Sequence, residues 1–351
     1  MPASSAAWAS GSASAWASGS PVTMSQPPRI APPIDGAARP RVSVMLPTYR
    51  PTDTLAVALA SVLTQAPPAA EMQITVVDDG SPAGLVEDIV RSVDPAGRVE
   101  IVRHDERLGL AGNWNRAIDL ARGTLVHLLH QDDYVLPGFY ARLERGLRRA
   151  PDAGMAFCRT RLVDGADRFL KNSSRLAWFA GPLRDWLAVI AERQRLQTPA
   201  VVVRRATYEQ FGGYRDDLCQ ALDWEMWVRI AAQCRVWYEP RVLAAYRRHE
   251  ANESARLLAK GDVWPDVIRT IEINAKSLPG QVCGRLTAAS ARWHAASALR
   301  SAERRLEAGD AAGARDTLAH AATLVDMAAG DPRVNRVRHR WQAVTDRAKT
   351  V

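Results

Sequence analysis

Cysteine is scarce and poorly spaced for chemistry. Cys158, Cys219, Cys234 and Cys283 are the only four in 351 residues, and no two of them form a C-x-x-C pair. That distribution excludes a zinc ribbon and a disulfide scaffold, and it suits a reducing compartment. No uncharged apolar run approaches the ~18 residues that a membrane-spanning helix needs. The N-terminus lacks a basic segment ahead of an apolar stretch, so no secretory signal is expected. A cytoplasmic protein is the expectation. Phosphate-loop and dinucleotide fingerprints are also missing, because Gly109-Leu110-Ala111-Gly112 has the wrong spacing and no lysine. There is no G-x-S-x-G elbow, which argues against an α/β-hydrolase.

What is present is ordinary globular material. Hydrophobic residues make up 47% and charged residues 24%, enough for a sizeable core without staples. At roughly 150 residues per domain, the length suggests two domains or one with an appendage. The net charge is +8, and residues 257–351 carry 15 basic against 10 acidic side chains, a local excess of +5. No dense basic stripe or reading motif accompanies it, so no nucleic-acid partner is expected. A solvated, mildly basic surface is the simpler reading, and attraction to an anionic membrane face is the functional one.

Residues 1–40 are rich in Ala, Ser, Gly and Pro, repeat AWASGS at Ala7 and Ala15, and hold no charge before Arg29. Such composition predicts disorder. From Arg41 onward, short apolar runs alternate with helical patterns. Strands are expected at Val42–Leu46, Ile74–Val77, Val99–Val102 and Leu125–Leu129, with helices at 53–65, 85–93 and 113–121 between them. That alternation predicts an α/β fold with a mixed, mostly parallel sheet flanked by helices. Further strands are expected at 155–158, 200–204, 236–238 and 242–246, and helices at 183–193, 205–211 and 223–234. The domain of interest therefore spans residues 41–256. Residues 257–351 read as a helical C-terminal region, in which 300–326 looks like a single tetratricopeptide-like hairpin.

In open α/β sheets the ligand crevice lies beyond the carboxyl ends of the strands. Three such ends carry polar clusters: Pro47-Thr48-Tyr49, Asp78-Asp79-Gly80-Ser81 and Gln131-Asp132-Asp133. Adjacent carboxylates repel unless something positive sits between them. Asp132 and Asp133 offer hard oxygens suited to Mg²⁺ or Mn²⁺ bound with phosphate oxygens, or they simply begin a turn. Asp79 can accept hydrogen bonds from a base or ribose, or serve the turn alone. Tyr49 can stack on a base or pack.

Together the runs at residues 42–49, 76–81, 115–123 and 130–133 resemble family 2 glycosyltransferases of GT-A (Rossmann-like) fold, over roughly residues 41–250. The resemblance implies an inverting transfer from a nucleotide-sugar donor, UDP by family habit, to a glycan or lipid-linked acceptor in surface polysaccharide or lipopolysaccharide synthesis. It also implies roles. Asp79 is the base contact with Pro47 and Tyr49 beside it, Asp132 reaches the ribose, and Asp133 holds Mn²⁺ or Mg²⁺. Gln131 stands where the family's D-x-D motif begins with Asp. Phe211-Gly212-Gly213-Tyr214 resembles the loop where donor and acceptor approach, with Gly213 at the sugar. In Leu222-Asp223-Trp224-Glu225, Asp223 matches the general base and Glu225 is its substitute. His249 in Tyr246-Arg247-Arg248-His249 matches a residue that can join the metal or diphosphate. The departures at Gln131 and Leu222 leave open a catalytically inactive nucleotide-sugar-binding scaffold. A nucleotidyltransferase is the other alternative, though its basic Gly-rich loop after the first strand is missing.

Overall fold

The first strand, β1 (Val42–Thr48), is buried along its whole length. Its alternate side chains face opposite ways: Val42, Val44 and Leu46 join one apolar cluster and Met45 the other. Covering both faces of a strand demands helices on both sides of the sheet. The computed structural model describes residues 26–33, 39–248 and 263–350 and supplies those layers.

After β1 come α1 (Thr54–Leu63), β2 (Met72–Asp78), α2 (Leu85–Val93), β3 (Glu100–Arg103), α3 (Gly109–Leu120) and β4 (Leu125–Leu128). Next are β5 (Tyr134–Val135), α4 (Phe139–Arg149), β6 (Ala153–Asp164), β7 (Phe169–Asn172), β8 (Gly181–Pro182) and α5 (Trp186–Glu192). β9 (Val201–Arg204), α6 (Arg205–Phe211), α7 (Leu222–Gln233) and β10 (Arg235–Arg248) complete the sheet region. The sheet order is β3-β2-β1-β4-β9-β6-β10-β5, with β7 on β6 and β8 on β10. The half from β3 to β4 is parallel. β9 runs antiparallel between β4 and β6, and β6 and β10 pair in parallel. This is the mixed sheet with flanking helices that the alternation implied.

The C-terminal helices are α8 (Val263–Ser277), α9 (Gly280–Glu307), α10 (Ala311–Met327) and α11 (Val334–Thr350). Gly309, at φ +78°, turns α9 into α10, and the Asp310 carboxylate accepts the Gly313 amide at 2.8 Å to start the second helix. These helices share a core with the sheet. Trp264, Val267, Leu286 and Ala295 belong to the same buried cluster as Trp224, Trp227 and Val228. No helix among the described residues is long and apolar enough to cross a membrane.

Two expectations need correction. Residues 26–33 are seated on the domain: Ile30 is 1% exposed, the Gly213 amide donates to Pro28 O at 2.8 Å, and Arg205 Nη2 to Ala31 O at 2.7 Å. One buried isoleucine and two satisfied carbonyls hold a stretch whose composition alone predicts disorder. The short strands expected at 236–238 and 242–246 are one strand, β10, whose pairing with β6 shifts register around Pro240. A proline cannot donate to the ladder, so it reads as a break where the strand only bulges.

Candidate active site

The carboxyl ends of β1, β2 and β4 open onto a cavity of about 660 Å³. Pro47, Tyr49, Asp79, Gln131, Asp132 and Asp223 all line it, so residues 176 positions apart in sequence share one space. The Tyr49 amide donates to Gln131 Oε1 at 2.9 Å, and Gln131 Nε2 returns a bond to Tyr49 O at 3.2 Å. This two-point bridge ties the loop after β1 to the loop after β4. It needs an acceptor and a donor on one side chain, which a carboxylate cannot supply. Here the departure at Gln131 has a structural reason.

Asp79 is 2% exposed. Its Oδ1 accepts the Leu108 amide at 2.6 Å and its Oδ2 the Gly109 amide at 3.0 Å, capping the N-terminus of α3. Two accepted bonds leave further lone pairs for a ligand on the cavity side. Arg107, from the same turn, lies 3.9 Å over the Tyr49 ring and 3.6 Å from Asp79 Oδ2. That guanidinium is well placed for a diphosphate or a base.

His130, Asp132 and Asp133 form the one cluster among the described residues with metal-ligand spacing, their ligand atoms lying within 4.8 Å of one another. Asp133 is 1% exposed and sits behind the cavity wall. Its Oδ1 accepts the Arg247 amide at 2.9 Å and its Oδ2 lies 3.5 Å from His130 Nδ1, while His130 Nε2 is buried without a hydrogen bond. A buried nitrogen left without a partner beside two carboxylates suits a bound cation. Burial, then the Asp132 charge, pushes Asp133 up to about 6. Burial alone would lower the His130 imidazole, but Asp133, Asp132 and Asp223 around it outweigh that and raise it. Trp114 stacks on the same ring at 4.7 Å. An imidazole with two carboxylates is a sound donor set for Mn²⁺ or Mg²⁺. His249, expected at this centre, lies outside the described residues.

Asp223 stands in the first turn of α7, where the helix dipole favours an anion. The Trp224 amide donates to its Oδ1 at 2.6 Å and the Thr198 hydroxyl to Oδ2 at 3.4 Å. Burial nevertheless pushes it up to about 6, against the pull of the Trp224 amide and His130. A carboxylate with that pKa can take a proton near neutral pH.

Glu225 is not beside it. It is 1% exposed and paired with Arg229 at 2.9 and 2.8 Å, one helical turn on. Arg229 in turn donates to the carbonyls of Phe211, Gly212 (3.3 Å) and Gly213 (2.8 Å). Helical geometry puts residue 225 on the opposite side from 223, so a substitute base is ruled out in this arrangement. Gly213 is likewise off the cavity: a side chain there would collide with Asn115, which holds Tyr214 N at 2.7 Å and Tyr214 O at 2.8 Å. Both belong to the brace under α7.

Three cavity-lining residues, His130, Arg107 and His294, and one residue behind the lining, Asp266, carry no signal in the sequence. His130 stood inside a quoted motif but was given no role. Arg107 is in a turn without a recognisable pattern. His294 lines the cavity from α9, stacked 4.9 Å from Trp224 with its Nδ1 held by Ser290 O at 2.9 Å. Asp266 of α8 accepts the amides of Cys219, Gln220 and Ala221 at 2.8, 2.9 and 2.8 Å. Only the folded chain brings the last two to this loop.

The sequence profile described as "Glycosyl transferase family 2" matches residues 43–211. "Uncharacterized protein MT1568" of Mycobacterium tuberculosis (strain CDC 1551 / Oshkosh) is 31% identical over 233 residues, 63% of this chain and 72% of that protein. Succinoglycan biosynthesis protein ExoU of Rhizobium meliloti (strain 1021) is 35% identical over 107 residues, 30% of each chain. Among solved structures, S. aureus TarS 1-349 in complex with UDP-GlcNAc superposes with a TM-score of 0.64 at 15% identity, covering 88% of this chain and 92% of that one. At that identity the likeness speaks for the fold.

Proposed function

The chain belongs to glycosyl transferase family 2, and on that premise we propose that it is an inverting enzyme. It moves a sugar from a nucleotide-sugar donor, with a UDP-sugar as the leading candidate, to a glycan or lipid-linked acceptor in surface polysaccharide synthesis. Its workplace on this reading is the cytoplasmic side of the envelope. The observation that carries the reading is one cavity lined by Tyr49, Asp79, Asp132 and Asp223, with the His130-Asp132-Asp133 cluster at its wall. A succinoglycan biosynthesis protein among the relatives fits polysaccharide synthesis, and a UDP-GlcNAc complex shares the fold.

In this mechanism Asp79, Tyr49 and Arg107 hold the nucleotide. Asp132 and Asp133, with His130, would hold Mn²⁺ or Mg²⁺, which supplies positive charge against the departing diphosphate. Asp223 takes the proton from the acceptor hydroxyl as that oxygen bonds to the anomeric carbon. The bond to the nucleoside diphosphate breaks on the opposite face, so a single displacement inverts the anomeric configuration. Asp266 acts only through the loop it fixes and is a positioning residue.

Calorimetric titration with a panel of nucleotide sugars, with and without Mn²⁺, followed by hydrolysis and transfer assays, tests this. Binding with turnover is expected. Binding with no hydrolysis or transfer across a broad acceptor panel would instead mark an inactive scaffold.

A further inference from the structure

Beside the candidate active site lies a second cavity of about 320 Å³. Gln194, Leu196 and Gln197 line both, so the two adjoin along that segment. The charges of the second cavity are all of one sign. Arg159, Lys171, Arg193 and Arg195 line it together with Tyr238 and Trp293, and no carboxylate does. Among the described residues none of these four cations forms an ion pair.

Their hydrogen bonds and ring contacts bring no carboxylate into the cavity. Arg159 donates Nε and Nη2 to Ser173 O at 3.0 and 2.9 Å. Arg193 lies 4.9 Å over the Trp293 ring. Arg195 Nε is buried with no partner at all. Burial and the Arg193 charge hold Arg195 below the usual arginine value, against the pull of Glu192, which does not line the cavity. Like charges around one cavity destabilise the empty fold, and an oxyanion between them removes that cost. Arginines are suited to the fork-like recognition of phosphate. The volume is at the lower end of small-ligand sites, ~300–1,000 Å³.

We propose that this cavity is an acceptor subsite for a phosphate or diphosphate group, so that the enzyme's acceptor is anionic and presents its hydroxyl to Asp223 across the Gln194–Gln197 segment. The proposal rests on the transferase reading above and adds the acceptor's chemical class to it. Two sources share this chemistry: a polyprenyl phosphate lipid and a soluble phosphorylated glycan. The segment leaving the cavity at Leu176 carries Trp178 and Phe179, 76% and 86% exposed. Aromatic side chains of this kind settle at a lipid–water boundary.

The test is a titration of the full chain with inorganic pyrophosphate in metal-free buffer, in which only binding that the second-cavity variants weaken counts for the proposal. Wild type should bind, and both Arg193→Gln/Arg195→Gln and the exposed single change Lys171→Gln should bind more weakly, the double variant by about tenfold or more. Affinity for the nucleotide sugar with Mn²⁺ should be equal in all three, which also shows that the variants are folded. No pyrophosphate binding to wild type, or equal binding by the variants, overturns the proposal. If nucleotide sugar fails to bind wild type, the transferase reading fails on its own account, whichever way pyrophosphate behaves. Co-sedimentation with phosphatidylcholine vesicles with and without a polyprenyl phosphate assigns the source. Retention only on the doped vesicles, lost in Trp178→Ser/Phe179→Ser, points to the lipid. Pyrophosphate binding without retention points to the soluble glycan.

Discussion

The carboxylate of Asp266 accepts the backbone amide of Ala221 at 2.8 Å, two residues before the candidate base Asp223. With Cys219 and Gln220 also bound, a single side chain of the C-terminal helices holds three consecutive amides. The helical region is thereby part of the machinery that aims Asp223.

Replacing Asp266 by Asn swaps one acceptor oxygen for a donor that faces backbone N–H groups. A buried backbone N–H left without its acceptor costs about 1–3 kcal/mol. The expected result is a melting temperature lowered by a few degrees and kcat lowered about tenfold or more by misplacement, with donor KM unchanged. Steady-state kinetics and thermal melts check both. An unchanged kcat would detach the helical region from catalysis.

Glu225 and Arg229 form a buried pair that braces the Phe211–Gly213 carbonyls. Removing one partner of such a pair costs on the order of 3 kcal/mol. Glu225→Gln should therefore melt earlier while the folded fraction turns over within about threefold of wild type, since that side chain does not line the cavity. A variant that melts normally but loses turnover would restore Glu225 as a base.

Burial raises Asp223 from 3.8 to about 6. For activity, kcat/KM should rise with pH through about 6 with unit slope as the base ionises. For stability the sign is opposite. A carboxyl raised on folding contributes most below its unfolded value, and that contribution is lost as pH rises through about 6. Asp223→Asn removes the penalty, and with the group partly open to the cleft the gain at pH 8 should be on the order of 1–2 kcal/mol. Denaturant titrations of both proteins at pH 5 and pH 8 read it directly: the gap should widen at pH 8.

Mn²⁺ bound by His130, Asp132 and Asp133 should raise the wild-type melting temperature, because a ligand of the native state stabilises it by mass action. His130→Ala should weaken Mn²⁺ affinity about 10–100-fold, judged from how steeply metal sites depend on each donor. Equal Mn²⁺ titrations would remove His130 from the site.

β1 and β2 are legible because both are buried along their whole length and run out at Pro47 and at Asp79-Gly80. The run 42–46 sits inside β1, and helix 205–211 was placed to the residue. The α3 start was read at Asn113 rather than Gly109, because its cap comes from Asp79, thirty residues away, and no local pattern signals it. The same reason hid Asp266 and His294: their partners lie 45 and 70 residues away in sequence, at Ala221 and Trp224. Glu225 is only two residues from Asp223, but helical phase turns it to the other side of α7. Motifs marked where the chemistry gathers, and tertiary contacts decided which side chains attend it.

On the proposed mechanism Asp223 accepts the acceptor's proton in the shared cavity. The most direct test is transfer by Asp223→Asn alongside calorimetric donor binding by the same protein. The expected outcome is donor affinity within about threefold of wild type and transfer reduced by about 10³-fold or more. Transfer at the wild-type rate with the donor bound would contradict it.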